Sequence, residues 1–187
     1  MPQLVLPDPC VVLLVGPAGA GKSTFAARHF PPDAILSSDA LREAIAGDAA
    51  DQRATGPAFS ALHRALDRRL AAGRLAIVDA TNLTASARSS IRRIAGRRGV
   101  PVVAIVFDLP AELVRRQNAG RTGRVVPDDV VTRHLDALAA ARAAGAFQRE
   151  AYALVIRLAD AAAVAGISVR FAPPGAGRPA DPPQPQG

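Results

Sequence analysis

At 187 residues, 49% of them hydrophobic but only 4% aromatic, the chain can form one domain with a core mainly of Val, Leu, Ile and Ala. The single cysteine excludes a disulfide framework, and the lack of a signal-peptide pattern or of a membrane-length apolar run predicts a cytoplasmic protein. The formal net charge of +7 favours an anionic partner, either a nucleotide or a nucleic acid, although an arginine-rich composition alone gives the same excess.

Short apolar runs alternate with amphipathic patterns along the chain, and this order predicts an α/β fold with a parallel sheet covered by helices on both faces. Five strands are expected: residues 10–16, 34–39, 74–82 and 100–108, and a last strand at either 152–159 or 166–172. The expected helices are 22–29, a segment that opens near residue 39, 57–73, 86–99, 110–120 and 127–145.

These elements predict one domain over residues 1–172. In the last segment, 173–187, nine of fifteen residues are Pro or Gly, so it cannot bury a core. We expect a disordered tail there.

The segment GPAGAGKST follows the first predicted strand and opens the first predicted helix. It matches the pattern G-x-x-x-x-G-K-[ST], in which backbone N–H groups and a helix N-terminus surround the phosphates of a nucleotide. The residues expected to bind the nucleotide are Gly16, Ala18, Gly19, Ala20, Gly21, Lys22, Ser23 and Thr24.

Lys22 is the only lysine among 23 Lys and Arg residues. A compact ammonium fits inside a tight phosphate-binding loop, whereas a planar guanidinium does not, so this exception supports a working loop in which Lys22 is catalytic. A guanine-reading N-K-x-D segment would need a second lysine. The sequence therefore favours ATP, with Mg²⁺ bound by the Ser23 hydroxyl.

The segment LSSDALRE follows the second predicted strand and carries Asp39 and Arg42, three residues apart on one helix face. Parallel strands end at the same sheet edge, so Asp39 could accept the proton of an attacking hydroxyl and Arg42 could hold an anionic acceptor. The alternative is that Asp39 only caps the helix.

The segment VDATN ends the third predicted strand at the same edge. Asp79 is expected to act with Ser23 on the metal, and Thr81, Asn82 and Arg88 are expected to bind the acceptor. Alternatively, the segment is only a turn, with Thr84 as the cap of the next helix.

The segment RRQNAGRTGRVVP contains Arg121 and Arg124, each preceded by a glycine. It resembles a lid whose arginines bind the donor phosphates, with Arg124 in a catalytic role, although a solvated basic loop has the same composition.

Taken in order, these motifs resemble the kinase module of bacterial polynucleotide kinase-phosphatase-ligase RNA repair enzymes, within the P-loop NTPase superfamily. The resemblance extends over residues 10–171 and implies the P-loop kinase fold with an arginine-bearing lid. One position departs from the family pattern: Gln117 stands where the family has an arginine before the lid asparagine, with Arg116 one place earlier.

The resemblance implies transfer of the ATP γ-phosphate to the 5′-hydroxyl of RNA or DNA. Asp39 would be the general base, Arg42 would contact the acceptor phosphate, and Lys22, Arg121 and Arg124 would bind the donor phosphates. It also implies separate phosphatase and ligase partners, because no such domains are visible in the sequence. Two other functions fit the motifs: a small-molecule kinase acting on a sugar, antibiotic or nucleoside, and a non-catalytic ATP-binding switch.

Overall fold

The computed structural model describes residues 3–48, 52–122 and 125–172. In this part of the chain the strands are β1 (Gln3–Leu6), β2 (Val11–Val15), β3 (Ile35–Ser37), β4 (Ala76–Asp79), β5 (Val102–Phe107), β6 (Leu154–Leu158) and β7 (Ser168–Phe171). The helices are α1 (Lys22–His29), α2 (Ser38–Ala46), α3 (Thr55–Ala71), α4 (Ala85–Arg97), α5 (Ala111–Ala119), α6 (Asp128–Ala143), α7 (Ala146–Arg149) and α8 (Ala161–Gly166).

The main sheet is parallel and has five strands in the order β3-β4-β2-β5-β6. Strands β2, β4 and β5 lie inside it and are buried at every position, as expected for a sheet covered on both faces. Two hydrophobic clusters fill these faces; one includes Phe25 and Phe107 and the other Leu62 and Ile91. The expected five-stranded α/β fold is confirmed.

The carboxyl ends of β2, β3 and β4 lie side by side, because each pairs in parallel register with its neighbour. The Gly16 backbone N–H donates to the Thr81 carbonyl oxygen at 3.0 Å, which joins the segment after β2 to the segment after β4. Helices α1 and α2 both start from this edge. Ligands of open parallel sheets bind at such an edge, so the topology brings the predicted site residues together.

A second parallel sheet of two strands, β1 and β7, was not expected. The sequence offered either 152–159 or 166–172 as the last strand of one sheet, but both segments contain a strand. β6 completes the main sheet, whereas β7 pairs with β1. β1 buries only Leu4 and Leu6 in an alternating pattern, too short to be recognised in the sequence.

Among the residues that the structure describes, no helix has the length and apolarity that a membrane span requires.

Candidate active site

The loop between β2 and α1 has the backbone geometry of a phosphate cradle. Gly16, Gly19 and Gly21 have φ angles of 154°, 84° and 82°, which L side chains rarely adopt. A Cβ atom on Gly19 would lie 2.8 Å from the Val114 carbonyl oxygen and from the Asn118 Cβ. Glycine is therefore required there both for the turn and for the close packing of the loop against α5.

Lys22 is the first residue of α1, and its side chain reaches back over this loop; the residue is 8% exposed. Its Nζ donates to the carbonyl oxygens of Gly16 at 2.9 Å and Pro17 at 2.8 Å. Burial lowers the pKa of Lys22 to about 8, with a smaller lowering from Arg121 and an opposing effect of Asp79. The ammonium is thus a buried donor, held over the loop by backbone oxygens.

The Ser23 hydroxyl and the Asp79 carboxylate line the same cleft as Lys22. Asp79 ends β4 and is buried, whereas Ser23 is exposed on the first turn of α1. Hydroxyl and carboxylate oxygens beside a phosphate site are a donor set that Mg²⁺ accepts, with substrate oxygens and water completing the coordination. These two residues therefore fit the role of metal ligands.

Asp39 and Arg42 form an ion pair on the first turns of α2 and line the same cleft as the phosphate loop. The alternative role of Asp39 as the helix cap is wrong, because the Ser37 hydroxyl accepts from the Ala40 N–H and caps α2. The Asp39 side chain is 54% exposed. It is therefore accessible to a second substrate.

The residues that follow β4 do not all line the cleft. Thr81 lines the cleft, as expected for an acceptor-binding residue. Asn82 does not: it is buried, its φ is 50°, and its side-chain amide donates to the Leu14 carbonyl at 2.7 Å. The expectation for Asn82 is corrected, because its side chain holds the end of β2 in place. Thr84 caps α4 by accepting from the Ala87 N–H.

The expectation that Arg88 binds the acceptor is also corrected. Arg88 is 1% exposed and donates to both carboxylate oxygens of Glu150, the shortest contact being 2.6 Å. Its other donors reach the carbonyl oxygens of Asn82 and Leu83. With these partners inside the fold, the guanidinium joins α4 to the segment before β6, and Arg88 is not among the described residues that line the cleft.

Two hydrogen bonds between Asn118 and Val126 hold together the two ends of the segment that follows α5. The Asn118 side chain donates to the Val126 carbonyl at 2.7 Å and accepts from the Val126 N–H at 3.1 Å. Arg121, in the segment between them, lines the cleft, as does Gln117. The predicted lid residue Arg124 lies outside the described residues, and its donor-binding and catalytic roles stay predictions.

His134 and Phe59 also line the cleft, and neither was expected to contribute to the site. The His134 Nδ1 accepts from the Ala18 N–H of the phosphate loop at 3.3 Å. Phe59 sits on α3, which packs against the Asp39 helix. The partner of His134, Ala18, is 116 residues away, so the sequence showed only a polar residue at helical spacing.

The cleft that these residues enclose has a volume of about 990 Å³. A family model described as an AAA domain matches residues 11–145, which is most of the chain and includes the whole phosphate loop. The chain belongs to the AAA domain family.

Three solved structures similar to this AAA domain share its fold. A gluconokinase from Sinorhizobium meliloti 1021 has a TM-score of 0.56 and 20% identity, covering 86% of this chain and 87% of its own. A sugar kinase from Janibacter sp. HTCC2649 has a TM-score of 0.54 and 23% identity, covering 81% and 85%. A chain of the Pnkp1/Rnl/Hen1 RNA repair complex has a TM-score of 0.60 and 23% identity, covering 74% and 46%.

These likenesses give the AAA domain the fold of P-loop kinases. One curated relative, the transcription factor bHLH140 of Arabidopsis thaliana, is 34% identical over 113 residues. That match covers 60% of this chain but only 12% of the relative. The AAA domain thus corresponds to a small part of that protein.

Proposed function

We propose that this protein is an ATP-dependent kinase that transfers the γ-phosphate to the 5′-hydroxyl end of a polynucleotide. The observation that carries the proposal is the Asp39–Arg42 pair, which lines the same cleft as Lys22 and Ser23. A general base candidate and a phosphate cradle thereby line one cavity. A switch protein that only binds ATP does not need the Asp39–Arg42 pair in this cleft.

The proposed mechanism assigns the donor side to the phosphate loop. The N–H groups at the start of α1 and the Lys22 ammonium bind the β- and γ-phosphates. Ser23 and Asp79 would hold Mg²⁺, which supplies charge neutralisation on the transferred phosphoryl group. Arg121 lines the cleft and adds positive charge on the donor side.

The proposed mechanism assigns the acceptor side to α2. The exposed Asp39 carboxylate accepts the proton of the attacking hydroxyl as the phosphorus–oxygen bond forms, and the leaving group is ADP. Arg42 orients that carboxylate and contacts the acceptor anion. Because the Arg42 side chain is only 11% exposed, its guanidinium is held in place rather than free in solvent.

Three observations support a polynucleotide over a neutral small molecule as the acceptor. Phe59 gives the cleft an aromatic ring, and stacking of a nucleobase on such a ring contributes roughly 1–3 kcal/mol. The net charge of +7 favours a polyanion. The similarity to a chain of an RNA repair complex points the same way.

A second candidate is phosphorylation of a sugar acid. The similarity to the gluconokinase extends over nearly the full length of both chains, whereas the repair-complex chain is matched over less than half of its length. Arg42 could pair with the carboxylate of such an acceptor. Because Arg88 is buried against Glu150, Arg42 is the one left of the two arginines that were expected to bind a phosphodiester.

The two candidates can be separated by supplying labelled ATP and Mg²⁺ with either a short 5′-hydroxyl oligonucleotide or gluconate. We expect label on the oligonucleotide, in RNA or DNA form, and none on a matched oligonucleotide that already carries a 5′-phosphate. Label on gluconate, with none on either oligonucleotide, would replace the leading proposal by the second.

A further inference from the structure

The phosphate loop is fixed by both helices that flank the Arg121 segment. α5 packs against Gly19 through Asn118, which leaves no room for a Cβ atom. α6 contacts the preceding residue, because the His134 Nδ1 accepts from the Ala18 N–H at 3.3 Å. Two consecutive loop residues are therefore held by direct contact with α5 and α6.

The hydrogen bond to Ala18 requires one form of the His134 ring. A backbone N–H can donate only to a ring nitrogen that carries no proton, so Nδ1 is bare and the neutral ring carries its hydrogen on Nε2. An imidazolium has a proton on both nitrogens and would face the Ala18 N–H with another donor. Protonation of His134 therefore removes this contact.

We propose that neutral His134 is a positioning residue that holds the phosphate loop in its nucleotide-binding form, so that protonation of this ring weakens nucleotide binding. The inference concerns the donor site alone. It rests on nucleotide binding by the loop and not on the identity of the acceptor.

The charged groups around His134 act in the same direction. Burial lowers the pKa of His134, and the positive charges of Lys22 on α1 and Arg133 on α6 lower it further. Arg121 and Asp79 line the same cleft and have opposite effects on the pKa of Lys22, which Asp79 raises and Arg121 lowers. The ring is consequently neutral at pH 7 and becomes charged only below the ordinary histidine range near pH 6.5.

The alternative role for His134 is direct contact between its charged imidazolium ring and the phosphates of the nucleotide. In that case acid would strengthen nucleotide binding through His134, because an imidazolium attracts the anion. The two roles thus predict opposite signs for the pH dependence.

The test measures Mg-ADP binding by calorimetry between pH 5.5 and 8 for wild type, His134→Asn and His134→Phe. The asparagine Oδ1 can replace the Nδ1 acceptor without titrating, whereas phenylalanine offers no acceptor. We expect His134→Asn to bind like wild type at pH 7.5 and His134→Phe to bind about five- to thirtyfold more weakly, since the Ala18 N–H loses its partner.

The ratio of wild-type to His134→Asn affinity is expected to fall at pH 5.5, and titration of the nucleotide cancels in that ratio. His63→Phe on α3 is the matched control and is expected to bind like wild type. Wild-type affinity in His134→Phe, or a ratio that rises in acid, would overturn the inference alone. Absence of nucleotide binding by the wild-type protein would overturn both the inference and the proposed function.

Discussion

The physical state of Lys22 follows from its surroundings. The ammonium is almost fully buried, contacts two backbone carbonyls of its own loop, and has Asp79 as a nearby opposite charge. Burial outweighs the attraction of Asp79, so the pKa of Lys22 is lowered to about 8. A bound triphosphate would reverse this balance by placing negative charge against the ammonium.

Nucleotide affinity is therefore expected to fall as pH rises above about 8. Free Lys22 loses its proton in that range, whereas phosphate binding requires the charged form, so binding must first recover the proton. Calorimetry of Mg-ADP binding from pH 7 to 9.5 would measure the effect. Constant affinity over this interval would show that Lys22 is not the titrating contact with the phosphates.

At the scale of elements, α4 is joined to the segment before β6 by the buried Arg88–Glu150 pair. Tyr152 also donates to Glu150 at 2.6 Å, and the Arg88 guanidinium lies 5.1 Å from the centre of the Phe147 ring. Desolvation acts to raise the pKa of Glu150, but the hydrogen bonds from Arg88 and Tyr152 and the positive charges of Arg88 and Arg92 together lower it. This network connects α4 with the segment before β6 and is not part of the cleft.

Replacing Arg88 by Met is expected to lower the free energy of unfolding by about 1–3 kcal/mol, because it removes the closest charged partner of Glu150 and leaves only the Tyr152 hydroxyl and Arg92, at 3.8 Å, beside that carboxylate. Urea unfolding followed by circular dichroism would measure the loss. Arg98→Met is the matched control and should change stability little, since its pair with Asp67 is half exposed. A stable Arg88→Met protein with selectively weakened acceptor binding would instead restore the original expectation for Arg88.

The elements differ in how well the sequence predicts them. β2, β4 and β5 are buried on both faces, so they appear as continuous apolar runs. α1 agrees with its predicted bounds because a glycine turn starts it and the phosphate-loop pattern is local. β7 was one of the two candidates for the last strand, but its pairing with β1 joins opposite ends of the chain, and the four residues of β1 are too few to form a recognisable local pattern.

The site residues, like the strands and helices, can be predicted where the pattern that marks them is local. Lys22, Asp39 and Thr81 belong to short motifs at the ends of strands, and the cleft includes all of them. The role of Arg88 was predicted wrongly and the contact of His134 was not foreseen, because their partners, Glu150 and Ala18, lie 62 and 116 residues away. A sequence pattern gives the helix face of such residues but not what packs against it.

At the scale of the whole molecule, separate elements supply the two walls of one cleft. The donor wall comes from the loop after β2 and from α1, and the acceptor wall comes from α2 and α3. The parallel sheet brings them together because β3 and β2 flank β4 and end at the same edge. The proposed phosphotransfer depends on this juxtaposition of a nucleotide cradle and the Asp39 carboxylate.

The most direct measurement compares phosphoryl transfer and nucleotide binding in Asp39→Asn, using labelled ATP, Mg²⁺ and a 5′-hydroxyl oligonucleotide. Loss of a general base is expected to lower the transfer rate by about 10²-fold or more, with Mg-ADP affinity within about twofold of wild type. Asp136→Asn, an exposed carboxylate on α6, is the control and should leave both quantities unchanged. Transfer at the wild-type rate in Asp39→Asn would contradict the account.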